Sequence, residues 1–306
     1  MHIVVLGAGA LGVYYGTRLQ EAGAKVTYVV RVGRAQQIKK HHVSISSPLG
    51  DIGNPQVDYT TDIEKVDAPD IILLGVKGYH LKEALPQIKH FTDKGAYVLP
   101  LLNGIEHVKT LQSYVGKKYV LGGLAFIIAT LDEKGHVLHT SEFHKFVFGP
   151  LMKEQEFICE ELYAFARKAN IEAIYTSDVL YEMWKKYMYI TAFSGITTAL
   201  NEPIGILQEN KATERTAYAL LKEMQQLAQT YGIELKQKDI EETMENFLSL
   251  DARATSSMHQ DLRKGLRLEV DHLQGGAIRL ANDKQVKVPT IQAIYGVISP
   301  FEYPKE

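Results

Sequence analysis

The 306-residue chain is 45% hydrophobic and 23% charged, with a formal net charge of −2. It is long enough for two cores, its composition is that of a soluble globular protein, and its charge argues against general nucleic-acid binding. One cysteine, Cys159, excludes an internal disulfide and suits a reducing, cytoplasmic setting, with the thiol read as a core residue.

The chain enters a strand at once. His2-Ile3-Val4-Val5-Leu6 is an apolar run, so the start reads as structure rather than a signal peptide. Gly7-Ala8-Gly9-Ala10-Leu11-Gly12 follows, opening a helix from Ala10 to about Ala22 that Gly23 closes. Gly7 permits the tight turn, Gly9 a close backbone approach to a pyrophosphate, and Gly12 close packing of helix on sheet. The helix start offers free N–H groups and partial positive charge to phosphates. Lys25 to Val30 is the second strand, and Arg31 stands at its tip. An acidic residue there would select NAD through the ribose 2′-hydroxyl; a basic one suits the 2′-phosphate of NADP. From Arg31 to His42 there is no acid, while Arg31, Arg34, Lys39 and Lys40 are basic. Arg31 is assigned to the phosphate, and Lys39 and Lys40 to a solvated helix face.

Further strands are expected at Ile71–Val76, Tyr97–Leu102 and Tyr119–Thr130, apolar as in a parallel sheet buried on both faces. The stretch Tyr119–Ala129 contains two glycines and is too short to span a bilayer. His136–Thr140 and Phe146–Phe148 read as a short hairpin, Glu154–Lys168 as a helix, and Ile171–Tyr175 as an edge strand. After Ser177 strand signals vanish, and helices are expected near 178–200, 211–231, 238–248, 255–283 and 289–297. The expectation is an α/β, Rossmann-type doubly wound sheet over residues 1–176 that binds NADP, then an all-helical substrate and catalytic domain over 177–306. Substrate would sit in the cleft between them.

Polar residues punctuate two strand ends: Lys77-Gly78 and Asn103-Gly104. Each is either a cofactor-facing group or a turn residue. In the helical half, Lys186, Ile190 and Ser194 share one helix face, and Ser257, Asp261, Gly265 and Glu269 recur in steps of four. A lysine in so apolar a stretch is costly to bury unpaired. On pattern alone Lys186 and Glu269 read as structural ion-pair residues, and Asp261 as a helix brace. His41-His42 reads as a loop pair. His136, His139 and His144 show no inward-facing carboxylate partner, so no metal site is expected.

Taken together, the glycine turn, Val76-Lys77, Asn103-Gly104, Trp184-x-Lys186 and Ser256-Ser257-Met258-x-Gln260-Asp261 running to Glu269 resemble the ketopantoate reductases (2-dehydropantoate 2-reductases). The motifs fall in the family's order over nearly the whole chain. The resemblance implies NADPH-dependent reduction of a 2-oxo acid to a 2-hydroxy acid, as in pantothenate biosynthesis. Lys186 would be the general acid, and Glu269 would hold the hydroxyl and the lysine. Asn103 and Lys77 would orient the nicotinamide end and the substrate, Ala129 would line the cofactor site, and Ser257 would bind substrate. The family carries asparagines one and two turns after the lysine, where this chain has Ile190 and Ser194. Ser194 can still hydrogen-bond substrate and Ile190 cannot, so a more apolar 2-oxo acid comes into play; Asn201 lies nearby but is not assigned as the substitute. Two other readings stand beside this one: an opine-type or β-hydroxyacid dehydrogenase, and a non-catalytic NADP(H)-binding regulator. The partner is a small-molecule 2-oxo acid, with neither nucleic acid nor membrane, and a homodimer is the candidate assembly.

Overall fold

A computed structural model describes residues 1–304. The chain runs β1 (His2–Leu6), α1 (Ala10–Glu21), β2 (Lys25–Val29), α2 (Val32–His41), β3 (Ser44–Ser46), β4 (Ile52–Gly53), β5 (Asp58–Thr60), β6 (Ile71–Leu74), α3 (Leu81–Thr92), β7 (Tyr97–Pro100) and α4 (Glu106–Val115). It continues β8 (Gly122–Leu131), β9 (Val137–Gly149), α5 (Glu156–Ala166), β10 (Glu172–Tyr175), α6 (Val179–Leu200), α7 (Ile206–Glu209), α8 (Lys211–Thr230), α9 (Gln237–Ser249), α10 (Ser257–Arg263), α11 (Gly276–Asp283) and α12 (Pro289–Ile298). Two compact units result. One is Met1–Leu102 with His107–Val179; the other is the short segment Asn103–Glu106 with the chain from Leu180 onward.

The first unit is built on a five-stranded sheet in the order β5-β2-β1-β6-β7, and every pairing is parallel. Its central strands are buried on both faces, which is why they read as continuous apolar runs. Register sets Leu6 beside Val29 and Leu74, so the carboxyl ends of β1, β2 and β6 lie in one row. That row carries Gly7, Arg31 and Lys77. This is the Rossmann-type sheet expected, followed by a helical C-terminal region.

A second sheet in the order β10-β9-β3-β4, with β8 antiparallel to β9, completes this unit. The expected short hairpin at 136–140 and 146–148 is instead one 13-residue strand, β9. The turn lies earlier, where Asp132 accepts from the backbone N–H groups of Gly135, through its carbonyl, and His136, through its carboxylate. The polar residues inside β9 misled the pattern: His139 and Ser141 are buried, held by Ser47 and the Phe143 carbonyl. His136 does have a carboxylate partner, Asp132 at 3.3 Å. His41 closes α2 rather than lying in a loop.

Helix α1 is the shared core of both sheets. Tyr14 and Tyr15 are fully buried; Tyr15 stacks on Phe146 and donates to the Lys145 carbonyl, and Tyr14 pairs with His144 Nδ1 at 2.7 Å. Cys159 is buried, and burial pushes its thiol up to about 12, so it is inert packing.

The second unit is helical. The long helix expected over 255–283 is broken. Gly265 adopts φ +62, with Gly265 N–H donating to Leu262 and Leu266 N–H to Asp261, a Schellman stop for α10. The chain has no regular secondary structure from Leu266 to Glu269, and helix resumes through a π-turn at Asp271–Gly275. Glu269 is therefore not the fourth step of a helical ladder begun at Ser257. Among the described residues no helix is long and apolar enough to cross a membrane.

Candidate active site

In the glycine turn, two of the three glycines are demanded by the protein itself. At Gly7, with φ +97, an added Cβ would lie 2.6 Å from the backbone of Gly75 and Val76, and at Gly12 one would lie 2.2 Å from the Gly7 carbonyl. Gly9 is different. Its φ is −78, and an added Cβ would meet no protein atom within 4 Å. Neither strain nor packing requires glycine there, so the space it leaves is open to a group from outside the chain. Ala10 and Leu11 open α1, whose first turn has no acidic residue and no side-chain cap. That is the cradle a dinucleotide pyrophosphate fits.

Arg31 caps α2 and is exposed. Its guanidinium meets Glu83 at 2.8 Å and His80 Nδ1 at 3.3 Å, an acid that tertiary structure brings beside a locally basic stretch. Exposed pairs of this kind contribute about 0–1 kcal/mol, so Arg31 can exchange Glu83 for a phosphate. Arg34 has another task. It donates to the carbonyls of Ala8 and Gly135, each at 3.0 Å, and to Gln37, fastening the glycine turn to the β8–β9 hairpin. Sequence reading missed this role, because carbonyl acceptors leave no signal in side chains. Lys77 follows β6 in extended conformation and is half-buried at the row of strand ends. Ala129 lies in β8 at a register shift opposite His139 and packs on the core of the same unit.

In the helical unit the adjacent lysines of α6 diverge. Lys185 bonds Asp239 at 2.8 Å and Glu242 at 3.1 Å. Burial pulls its ammonium down, but the two carboxylates outweigh that and hold it above the ordinary lysine value. Lys186 is half-buried as a residue, while its ammonium lies deep among protein atoms. Burial lowers it to about 8, partly offset by attraction to the Glu269 carboxylate. Glu269 is itself buried, 6% exposed. The break after α10 is what brings Glu269 to Lys186. Tyr187 donates to the Leu273 carbonyl at 2.6 Å and Gln274 to the Thr191 carbonyl at 3.1 Å, docking the π-turn on α6 on either side of the Ile190 turn.

Ile190 is half-buried and Ser194 buried, one and two turns beyond Lys186. Ser257 opens α10 and is exposed; the preceding Ser256 caps that helix and meets Thr197 at 2.9 Å, three positions past Ser194. Asn201 is no substitute for the missing asparagine. It sits about 16 Å along the helix direction from Ile190, turns left-handed at φ 51, and pairs with His259 Nε2 at 3.1 Å. Asn103 belongs to this unit too, its carbonyl accepting from His272 Nε2 at 2.7 Å. Lys186, Glu269, Asn103, Ser194 and Ser257 thus fall in one compact unit, and the glycine turn, Arg31, Lys77 and Ala129 in the other. Among the described residues no group of three or more His, Cys, Asp or Glu side chains is arranged to hold a metal ion.

A parallel sheet with an open glycine turn, in one chain with a helical unit that carries a tuned lysine beside a buried carboxylate, is the build of a nicotinamide-dependent oxidoreductase. The family model described as ketopantoate reductase PanE/ApbA matches residues 3–153, and that of the ketopantoate reductase PanE/ApbA C terminal matches 178–302. The chain is 32% identical over 306 residues, 100% of each chain, to the uncharacterized oxidoreductase YkpB of Bacillus subtilis. It is 28% identical over 305 residues, 97% of each chain, to the 2-dehydropantoate 2-reductase of Pyrococcus abyssi. Among solved structures, D-mandelate dehydrogenase with NADH and anilino(oxo)acetate shares the fold, with a TM-score of 0.88 at 23% identity over 99% of this chain and 98% of the other. The chain belongs to the ketopantoate reductase family. It is an NADP-dependent oxidoreductase acting on CH–OH groups.

Proposed function

We propose that this protein reduces a 2-oxo acid to the 2-hydroxy acid with NADPH, the substrate being 2-dehydropantoate, as in pantothenate biosynthesis, or a close analogue. The observation that carries the reading is Lys186, an ammonium lowered by burial to about 8 and attended by the buried carboxylate of Glu269. NADPH, when bound, supplies the hydride. As charge builds on the substrate oxygen, the Lys186 ammonium stabilises it and donates a proton, help worth about 10²–10⁴-fold. Glu269 keeps the lysine charged and accepts from the emerging hydroxyl. Asn103 and Lys77 orient the nicotinamide end and substrate, and Ser194 and Ser257 hydrogen-bond the acid. Gly7, Ala8, Gly9, Ala10, Leu11 and Gly12 cradle the pyrophosphate, Arg31 grips the 2′-phosphate, and Ala129 lines the cofactor site. On this reading residues 1–176 bind NADP and 177–306 carry catalysis in the cytoplasm, with the protein a homodimer covering exposed Leu200, Val297 and Phe301 of the helical unit.

Ile190 supports a second substrate reading. One turn from the lysine it offers hydrocarbon where the family has an amide, so a 2-oxo acid with a branched or aromatic hydrocarbon side chain stands beside 2-dehydropantoate as a candidate. The test is NADPH oxidation across a panel containing 2-dehydropantoate, a branched-chain 2-oxo acid and an arylglyoxylate, with Lys186→Ala alongside. Turnover lost by at least about a hundredfold in the variant supports the reading. Tight NADPH binding with no oxidation of any 2-oxo acid, or a variant within about tenfold of wild type, overturns it.

A further inference from the structure

The segment Asn103–Glu106 lies in sequence between β7 and the body of α4, yet it packs with the helical unit. Two tethers hold it there. His272 Nε2 donates to the Asn103 carbonyl at 2.7 Å. Arg279, on α11, grips the Glu106 carboxylate through Nε at 2.9 and 3.1 Å and through Nη2 at 2.8 Å. The same guanidinium reaches the π-turn, Nη1 to Asp271 Oδ1 and Nη2 to the Asp271 carbonyl, both at 2.9 Å. Glu106 Oε2 sits over Gly276, where an added Cβ would lie 3.4 Å from it and 3.2 Å from the Tyr187 hydroxyl. One arginine therefore joins a residue three positions after Asn103 to a residue two positions after Glu269, beside the residue that follows Lys186.

Most half-exposed ion pairs contribute little, but a bidentate fork within a multi-point network is the exception. This one also has a geometric consequence. Asn103 hangs on a glycine, Gly104 at φ +79, which leaves the segment's direction to its tethers. We propose that Arg279 is a positioning residue for the reaction, holding Asn103 in fixed relation to Glu269 and Lys186 by clamping Glu106 to Asp271. The proposal rests on the reading of Asn103 and Lys186 given above.

The test compares Arg279→Met, the milder Arg279→Lys and Glu106→Gln, with Lys186→Met and Asn103→Ala as references, all in the full-length protein. Arg279→Met is expected to lower kcat/KM for the 2-oxo acid about tenfold to a hundredfold, the scale of a misplacement near 1 Å. Arg279→Lys and Glu106→Gln should show smaller losses of the same kind, with NADPH affinity by fluorescence titration unchanged. Combined with Asn103→Ala, Arg279→Met should add almost nothing, because the positioned group is already gone. A merely structural arginine would lower thermal stability and add its loss in full on the Asn103→Ala background. The proposal falls if that additivity is seen, or if all three clamp variants keep kcat/KM within about threefold of wild type while Lys186→Met is inactive. An active Lys186→Met instead overturns the underlying reading of the site.

Discussion

Replacing Glu269 by glutamine should move the pH at which turnover fails. Lys186 must be protonated to act as the acid, and burial has brought its ammonium from 10.5 to about 8. In wild type, kcat/KM for reduction is therefore expected to be level below pH 7 and to fall tenfold per pH step above about 8. The Glu269 carboxylate is the group that resists the burial effect. An opposite charge close enough to interact shifts such a group by roughly one to three pH units, so glutamine should lower the midpoint by at least one. A shift of one leaves about a tenth of the lysines protonated at pH 8 against about a half in wild type, a loss near fivefold that adds to the pH-independent loss of the hydroxyl contact and shrinks away at pH 6, where only that second loss stays. The assay is NADPH oxidation at saturating cofactor from pH 5.5 to 9.5. A basic limb that stays in place in Glu269→Gln would refute the coupling. The same shift has a consequence for stability. The folded-state value lies below the unfolded one, so stability rises as pH goes from about 8 to 10.5. Below 8 the full burial cost of about 3 kcal/mol opposes folding. Lys186→Met should thus abolish turnover and raise Tm at pH 7.

Arg31→Ala should weaken NADPH binding about tenfold to a hundredfold, the worth of one charged hydrogen-bonded contact, and leave NADH unchanged; equal affinities in wild type would refute the phosphate role. Gly9→Ala should fold with a wild-type Tm but bind NADPH poorly, because its Cβ meets only space the cofactor needs, whereas Gly12→Ala should fail in thermal stability first. His139 and His144 stack 6.0 Å apart beside buried Arg18, and burial lowers both below 6.5. The unfolded chain therefore takes up protons that the folded one refuses, so stability falls as pH drops through 6.5. Thermal melts from pH 7.5 to 5 should show the loss, and His144→Gln should flatten it.

Local chemistry was legible from the residues alone. The glycine turn, the apolar parallel strands, Arg31 at the tip of β2 and the helical half each follow from rules that act within a few residues, namely backbone freedom, hydrophobic period and capping. Glycine spacing even separates the roles of Gly7, Gly9 and Gly12 before any contact is known. Where the reading failed, a non-local partner or a local backbone switch had intervened. Ser257 to Glu269 kept a helical period through Gly265, whose left-handed turn ended α10 and left Glu269 close enough for its charge to act on Lys186. The polar residues of β9 imitated a turn because their partners, Ser47 and Tyr14, lie about 90 and 130 positions away.

The division of labour between Lys185 and Lys186 shows the boundary most clearly. Sequence placed both on one apolar helix and specified dinucleotide chemistry for the chain, because period and glycine conformation are properties of short segments. The Trp184-x-Lys186 motif singled out Lys186 by resemblance, but only tertiary structure made the two lysines physically different, by packing α9 carboxylates against Lys185 and burying the Lys186 ammonium within reach of the Glu269 charge. Tertiary structure alone also fastened the Asn103–Glu106 segment to that unit, through His272 on the Asn103 carbonyl and Arg279 on the Glu106 carboxylate 173 positions away. Burial and electrostatic tuning depend on which distant segments enclose a charge, and that is settled when the chain packs.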